Sequence, residues 1–159
     1  MGEIYNYLDS NKVSYRRYDH KAVFTVEESK IHTPQMDGAS TKNLFLRDKK
    51  GSKHFLITLP EDKKIDLKIL SNKLDTSRLS FASPERLKKY LSIEPGAVSL
   101  LALVNDIDKD VEAYIDKVIW EEKSILCHPL VNTSTLQIPI GDMEKFLKKT
   151  GHGINLIDL

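Results

Sequence analysis

The chain has 159 residues, 40% hydrophobic and 30% charged, with a formal net charge of +1 at pH 7. That composition suits one globular domain over residues 1–159 with a sizeable core, and excludes the charge-rich, apolar-poor regime of disordered chains. No run approaches the roughly 18 apolar residues of a membrane span, and Met1–Tyr5 has neither a basic nor an apolar leader, so a cytoplasmic protein is expected. Cys127 is the only cysteine, which excludes an internal disulfide and any multi-cysteine metal site. The histidines at 20, 32, 54, 128 and 152 lack ligand spacing, so neither metal nor cofactor is expected. The charge is uneven: residues 1–90 hold 18 Lys/Arg against 12 Asp/Glu, and residues 91–159 hold 6 against 11. Such asymmetry permits one basic face for a polyanion.

Ile4, Tyr5 and Leu8 sit at helical spacing, with Asn11 closing the helix, and Val13–Tyr18 reads as a polar-edged strand. Thr25 and Glu28 form a capping-box pattern opening a helix through about Lys30; Phe24 before it either staples that helix or lines a pocket. His32–Ser40, with Pro34 and Gly38, reads as a loop. Leu44–Arg47 and His54–Leu59 flank a tight turn at Asp48–Ser52 and predict a hairpin. Its tip carries Lys49, Lys50 and Lys53, either a solvated strand end or a set of phosphate contacts. Asp66–Leu74 predicts an amphipathic helix, Arg78–Ala82 an extended piece, and Ser83–Pro84–Glu85 a capped helix to Leu91. Pro95–Gly96 then leads an apolar strand to about Val104, with a turn at Asn105–Asp106. Val111–Asp116, Ser124–Cys127 and Ser134–Ile138 read as strands, Asp142 as the cap of a helix through Lys149, and Ile154–Leu159 as a closing strand.

Lys42 shares its strand face with Leu44 and Leu46, because successive strand side chains alternate. An amine aligned with a buried face either snorkels out at the strand end or meets an anion in a partly dry cleft. The common nucleophile, zinc and nucleotide motifs are absent, and Cys127 and His128, adjacent on a strand, point to opposite faces and cannot serve each other as nucleophile and base.

Taken together, Thr25–Glu28, Lys42-Asn43-Leu44-Phe45-Leu46, Arg78–Ala82, Pro95–Gly96, Asn105–Asp106, His128–Thr133 and Gly151–His152 stand in an order that resembles the freestanding aminoacyl-tRNA deacylases of the YbaK/ProX type. These are similar to the editing insertion of bacterial prolyl-tRNA synthetase, and the arrangement most resembles the subgroup that removes alanine from proline tRNA. The resemblance implies an α+β fold: a barrel-like, mixed and mainly antiparallel sheet surrounded by helices, whose cleft takes the aminoacylated 3′ adenosine. It implies catalytic roles for Lys42, for the loop Gly96, Ala97, Val98 and Ser99, and for His128. Substrate contacts are implied for Thr25, Asn43, Leu100, Asn105, Asn132 and Thr133; Phe24 is a candidate pocket wall beside them, and the basic hairpin tip makes Lys49, Lys50 and Lys53 candidate tRNA contacts. Leu100 stands where the family's glycine-led loop ends in proline. The implied function is trans-editing of alanine on proline tRNA by a monomer, with prolyl-tRNA synthetase as a further partner. The alternatives are a deacylase for another mischarged tRNA, such as proline tRNA carrying cysteine, and a non-catalytic tRNA- or synthetase-binding module.

Overall fold

The computed structural model describes residues 2–23, 25–32 and 36–159. In chain order the elements are α1 (Gly2–Ser10), β1 (Arg16–Asp19), α2 (Val26–His32), β2 (Thr41–Arg47), β3 (His54–Pro60), α3 (Leu67–Lys73), β4 (Ser80–Phe81) and α4 (Pro84–Leu91). A 3-10 helix (Leu100–Asn105) follows, then β5 (Val111–Asp116), α5 (Lys117–Trp120), β6 (Ser124–Cys127), β7 (Ser134–Pro139), α6 (Ile140–Thr150) and β8 (Leu156–Ile157).

The strands form two sheets, one ordered β1-β7-β6 and the other β4-β2-β3-β5-β8. Only β3–β5 and β5–β8 run parallel, so the expected mixed, mainly antiparallel character holds. The barrel does not. The larger sheet ends at two short edge strands, β4 and β8, which do not pair with each other, and among the described residues the backbone link to the smaller sheet is a single bridge between Ala39 and Ile125. Two-residue edge strands supply too few ladder bonds to carry a sheet round to closure.

Alternation along β2 and β3 sorts the core. Phe45 and Leu56 face the main cluster, where they meet Leu101, Ile125, Leu136 and Phe146 from the smaller sheet and the helices. Leu46, Phe55, Ile57 and Leu59 face the opposite side, closed by Leu70 of α3 and by Leu79. Local chemistry fixes the ends. Asp66 accepts the Lys68 and Ile69 amides and starts α3; Ser83 accepts the Arg86 amide and, with Pro84 in the first turn, starts α4.

Three sequence expectations need correction. The run expected as a strand from Pro95 to Val104 ends in the 3-10 helix, because the Ser99 hydroxyl and carbonyl take the Leu101 and Ala102 amides. Its leucines are buried on every side, a pattern in which strand and helix periodicity cannot be told apart. α4 exits through Ser92 in the left-handed region (φ 55°), where glycine was expected. α6 starts at Ile140 behind Pro139; Asp142, expected as its cap, lies inside the first turn and accepts the Ser14 amide at 3.2 Å. The four-residue α5 was not foreseen.

Candidate active site

Three contacts join the start of β2, the smaller sheet and the glycine-led loop to one another. The Thr41 hydroxyl donates to the Leu126 carbonyl at 2.8 Å. One residue on, Asn43 accepts from the buried Thr58 hydroxyl through Oδ1 (2.6 Å) and donates through Nδ2 to the Val98 carbonyl (3.3 Å). The third contact joins the Ser99 hydroxyl to the Cys127 thiol, immediately before His128. Asn43 and the Gly96–Ser99 loop therefore meet directly, and Cys127 joins that loop to the end of β6, where the chain passes into His128.

The loop backbone is held along its length. Gly96 has φ 92°, in the region that favours glycine, and the Ala97 amide donates back to the Glu94 carbonyl at 3.2 Å. Val98 is anchored by Asn43, and Ser99 caps the 3-10 helix. Leu100 is 1% exposed within the main core, so it supports the loop from behind and does not line an open cavity.

Edge geometry opens the site. The Phe45 carbonyl accepts the Ala82 amide, so Phe45 turns its backbone outward from β3; two residues earlier, Asn43 turns its amide to the same edge. β4 pairs only with Leu46 and Arg47 and stops short of Asn43.

His128 Nδ1–H donates to the Ser134 carbonyl at 3.0 Å. That bond fixes the neutral tautomer, leaving the Nε2 lone pair as an acceptor. Burial pushes the His128 pKa below its ordinary value; the Ser134 bond opposes this and His20 adds to it. Asn132 brackets the same turn, donating to the Val23 carbonyl (3.0 Å), while the Thr133 carbonyl accepts the His20 amide (2.9 Å). Both belong to the scaffold of the His128 turn. Burial raises the Cys127 thiol to about 12, so it stays a thiol, as strand alternation suggested.

Lys42 is not drawn into this cluster. It lies opposite Leu59 on the face of β2 that carries α3, with Leu44 and Leu46, whereas Asn43 faces the loop. It is half-buried, and its side chain makes no hydrogen bond or ion pair among the described residues. Asn105 donates to the Leu91 carbonyl at 2.9 Å and fastens the 3-10 helix to α4. Thr25 accepts the Glu28 amide (3.1 Å), as a capping box requires, and Phe24 lies outside the described residues. Lys49, Lys50 and Lys53 are exposed around Asp48, whose carboxylate is taken up by the Ser52 and Lys53 amides.

Two clusters escaped the sequence reading. His152, read as a helix terminus, is buried and donates from Nε2 to Asp106 at 2.8 Å; Asp106 also accepts the Asp110 and Val111 amides. Arg86 donates to Nε2 of buried His54 (2.9 Å) and to the Gly51 carbonyl (3.1 Å), clamping α4 to the hairpin tip. The signal for the first was the pairing of the Asn105–Asp106 and Gly151–His152 motifs; the second had none.

Residues 20–146 match the sequence model of the aminoacyl-tRNA editing domain. The chain belongs to the aminoacyl-tRNA editing domain family. Among relatives of this editing family, the prolyl-tRNA editing protein ProX of Acetoanaerobium sticklandii is 40% identical over 153 residues, covering 96% of this chain and 93% of that one. The prolyl-tRNA synthetase associated domain-containing protein 1 of Danio rerio is 34% identical over 152 residues, covering 94% and 82%. A solved structure described as a trans-editing enzyme for prolyl tRNA synthetase superposes with a TM-score of 0.73 at 17% identity, over 99% of this chain and 94% of that one. At that identity the last likeness concerns the fold alone.

Proposed function

We propose that this editing domain hydrolyses the ester of mischarged proline tRNA in trans, with alanine as its preferred aminoacyl group. The observation that carries the reading is the Asn43 side chain fastening the Gly96–Ser99 loop at the edge of β2, with Cys127 joining that loop to the strand that ends before neutral His128, in a chain of the editing family. An aminoacyl ester is already activated, so no protein nucleophile is required, in keeping with the buried thiol of Cys127. Loop amides beside the carbonyl would stabilise its developing negative charge, each well-placed donor contributing on the order of 100-fold. His128 Nε2 can hold a water or the vicinal ribose hydroxyl in line with the ester. Lys42 supplies a point charge for the phosphate of the terminal nucleotide, reached over the start of β2.

The preference for alanine follows from size. A synthetase pocket built for proline discriminates against smaller side chains by only about 1–3 kcal/mol per methylene, so alanine escapes and a second site must remove it while refusing the proline ring. The Gly96–Leu100 loop, pinned by Asn43 and backed by core Leu100, is rigid enough to refuse it. The proposal takes residues 1–159 as one domain acting as a cytoplasmic monomer, with prolyl-tRNA synthetase as its partner in the same pathway of charging. Release of labelled amino acid from proline tRNA charged with alanine, cysteine, serine or proline tests it: fastest release of alanine with proline retained is expected. Fastest release of cysteine would transfer the assignment to that substrate, and no hydrolysis of any ester would leave a binding module.

A further inference from the structure

Phe81 is 62% exposed on the edge strand β4. Edge strands are usually blunted with charge or proline, and a large bare aromatic there attracts unwanted pairing unless it serves contact. Its register states which contact. Phe81 lies opposite Leu46, so it shares the sheet face of Leu44 and Lys42. Buried Leu79, two residues earlier, confirms that face: it closes the smaller cluster, whereas Phe81 is left exposed. Leu46 lies four residue steps along the strand from Lys42, which sets Phe81 about 14 Å from Lys42 across the same face.

Positive charge continues the line. The pairing Arg47–Ser80, carried outward, brings Arg78 beside Lys49, and the Lys49 amide donates to the Ser77 hydroxyl at 3.1 Å. The one acid inside the hairpin tip, Asp48, is turned inward onto backbone amides, so exposed Lys49, Lys50 and Arg78 present unopposed charge. A cation, a bare aromatic ring and a basic cluster in one line are the parts of a single-strand nucleic-acid track: charge for the backbone and a ring on which any base can stack.

We propose that Phe81 is a stacking platform for an unpaired base in the single-stranded 3′ end of the tRNA, upstream of the nucleotide held at Lys42. The strand then leaves the start of β2 and passes over the exposed edge strand β4, outside the core that α3 and Leu79 close, toward the hairpin tip, where the first paired phosphates meet Lys49, Lys50 and Arg78. This rests on the tRNA reading above, and its test uses uncharged RNA, so its failure is separate from a failure of the deacylase assignment. The probe is an RNA hairpin mimicking the acceptor stem with a four-nucleotide 3′ overhang, binding being read by fluorescence anisotropy. Phe81→Ala and Phe81→Leu should each weaken binding about 5- to 100-fold, the range expected for one lost base stack, while Phe81→Trp retains it. Making one overhang nucleotide abasic should cost the unmodified protein a similar factor and cost Phe81→Ala almost nothing. Unchanged affinity in Phe81→Ala, equal abasic penalties in both proteins, or full rescue by leucine would overturn the proposal; the last would mark the patch as a surface for an apolar protein partner.

Discussion

Asn43 is the residue whose removal tests the loop geometry best, because it makes two bonds of different kinds. Asn43→Ala orphans the fully buried Thr58 hydroxyl, a cost of about 1–3 kcal/mol, and releases the Val98 carbonyl from a bond worth about 1 kcal/mol net. The expected loss is therefore about 2–4 kcal/mol, read from the urea midpoint at constant m. Thr58→Val in the same background removes the orphan, so the double variant should be less destabilised than the sum of the singles, by about 1–2 kcal/mol. Deacylation should behave differently. The freed Val98 segment no longer holds its amides in place, so turnover should fall about 10- to 100-fold in Asn43→Ala and should not return with Thr58→Val. Strict additivity in stability would refute the paired-bond account, and recovery of turnover in the double variant would show that Asn43 acts through stability alone.

Lys42→Ala should keep the urea midpoint, since the side chain has no partner among the described residues, and should lose most deacylation; Lys42→Arg should fail too, because a planar fork does not replace a compact charge. Lys49→Glu with Lys50→Glu should weaken tRNA binding and flatten the dependence of log affinity on log salt by about 2, whereas an unchanged slope would make the charge asymmetry incidental. Acid should destabilise the fold through His54 and His128, both held below their ordinary pKa by burial, with Arg86 acting further on His54. Below about pH 6.5 the unfolded chain takes up protons that the folded one refuses, so this stability is present at pH 7.5 and lost toward pH 5.5; a midpoint that rises on acidification would contradict it.

Much of the fold was legible where local chemistry punctuates it. Ser83–Pro84, Asp66 and the turn around Asp48 mark their element ends with side-chain bonds to nearby backbone, and the alternating pattern of Val111–Asp116 gives that strand its bounds. Leu100–Asn105 was not legible, because a run buried on all sides carries no periodicity. The motifs named the candidate residues, and alternation placed Lys42 with Leu44 and Leu46, but not the consequence that Asn43 would face the loop from the other side of β2. Contacts such as His152 with Asp106 and Arg86 with His54 span 46 and 32 residues and exist only once the sheet order is set.

The account stands or falls on discrimination at the ester. Proline tRNA charged in parallel with labelled alanine and labelled proline, incubated with the unmodified protein and with Lys42→Ala, is the decisive comparison. The account predicts rapid loss of alanine, retention of proline, and little loss of either with the variant; equal hydrolysis of both esters, or alanine release undiminished in Lys42→Ala, would contradict it.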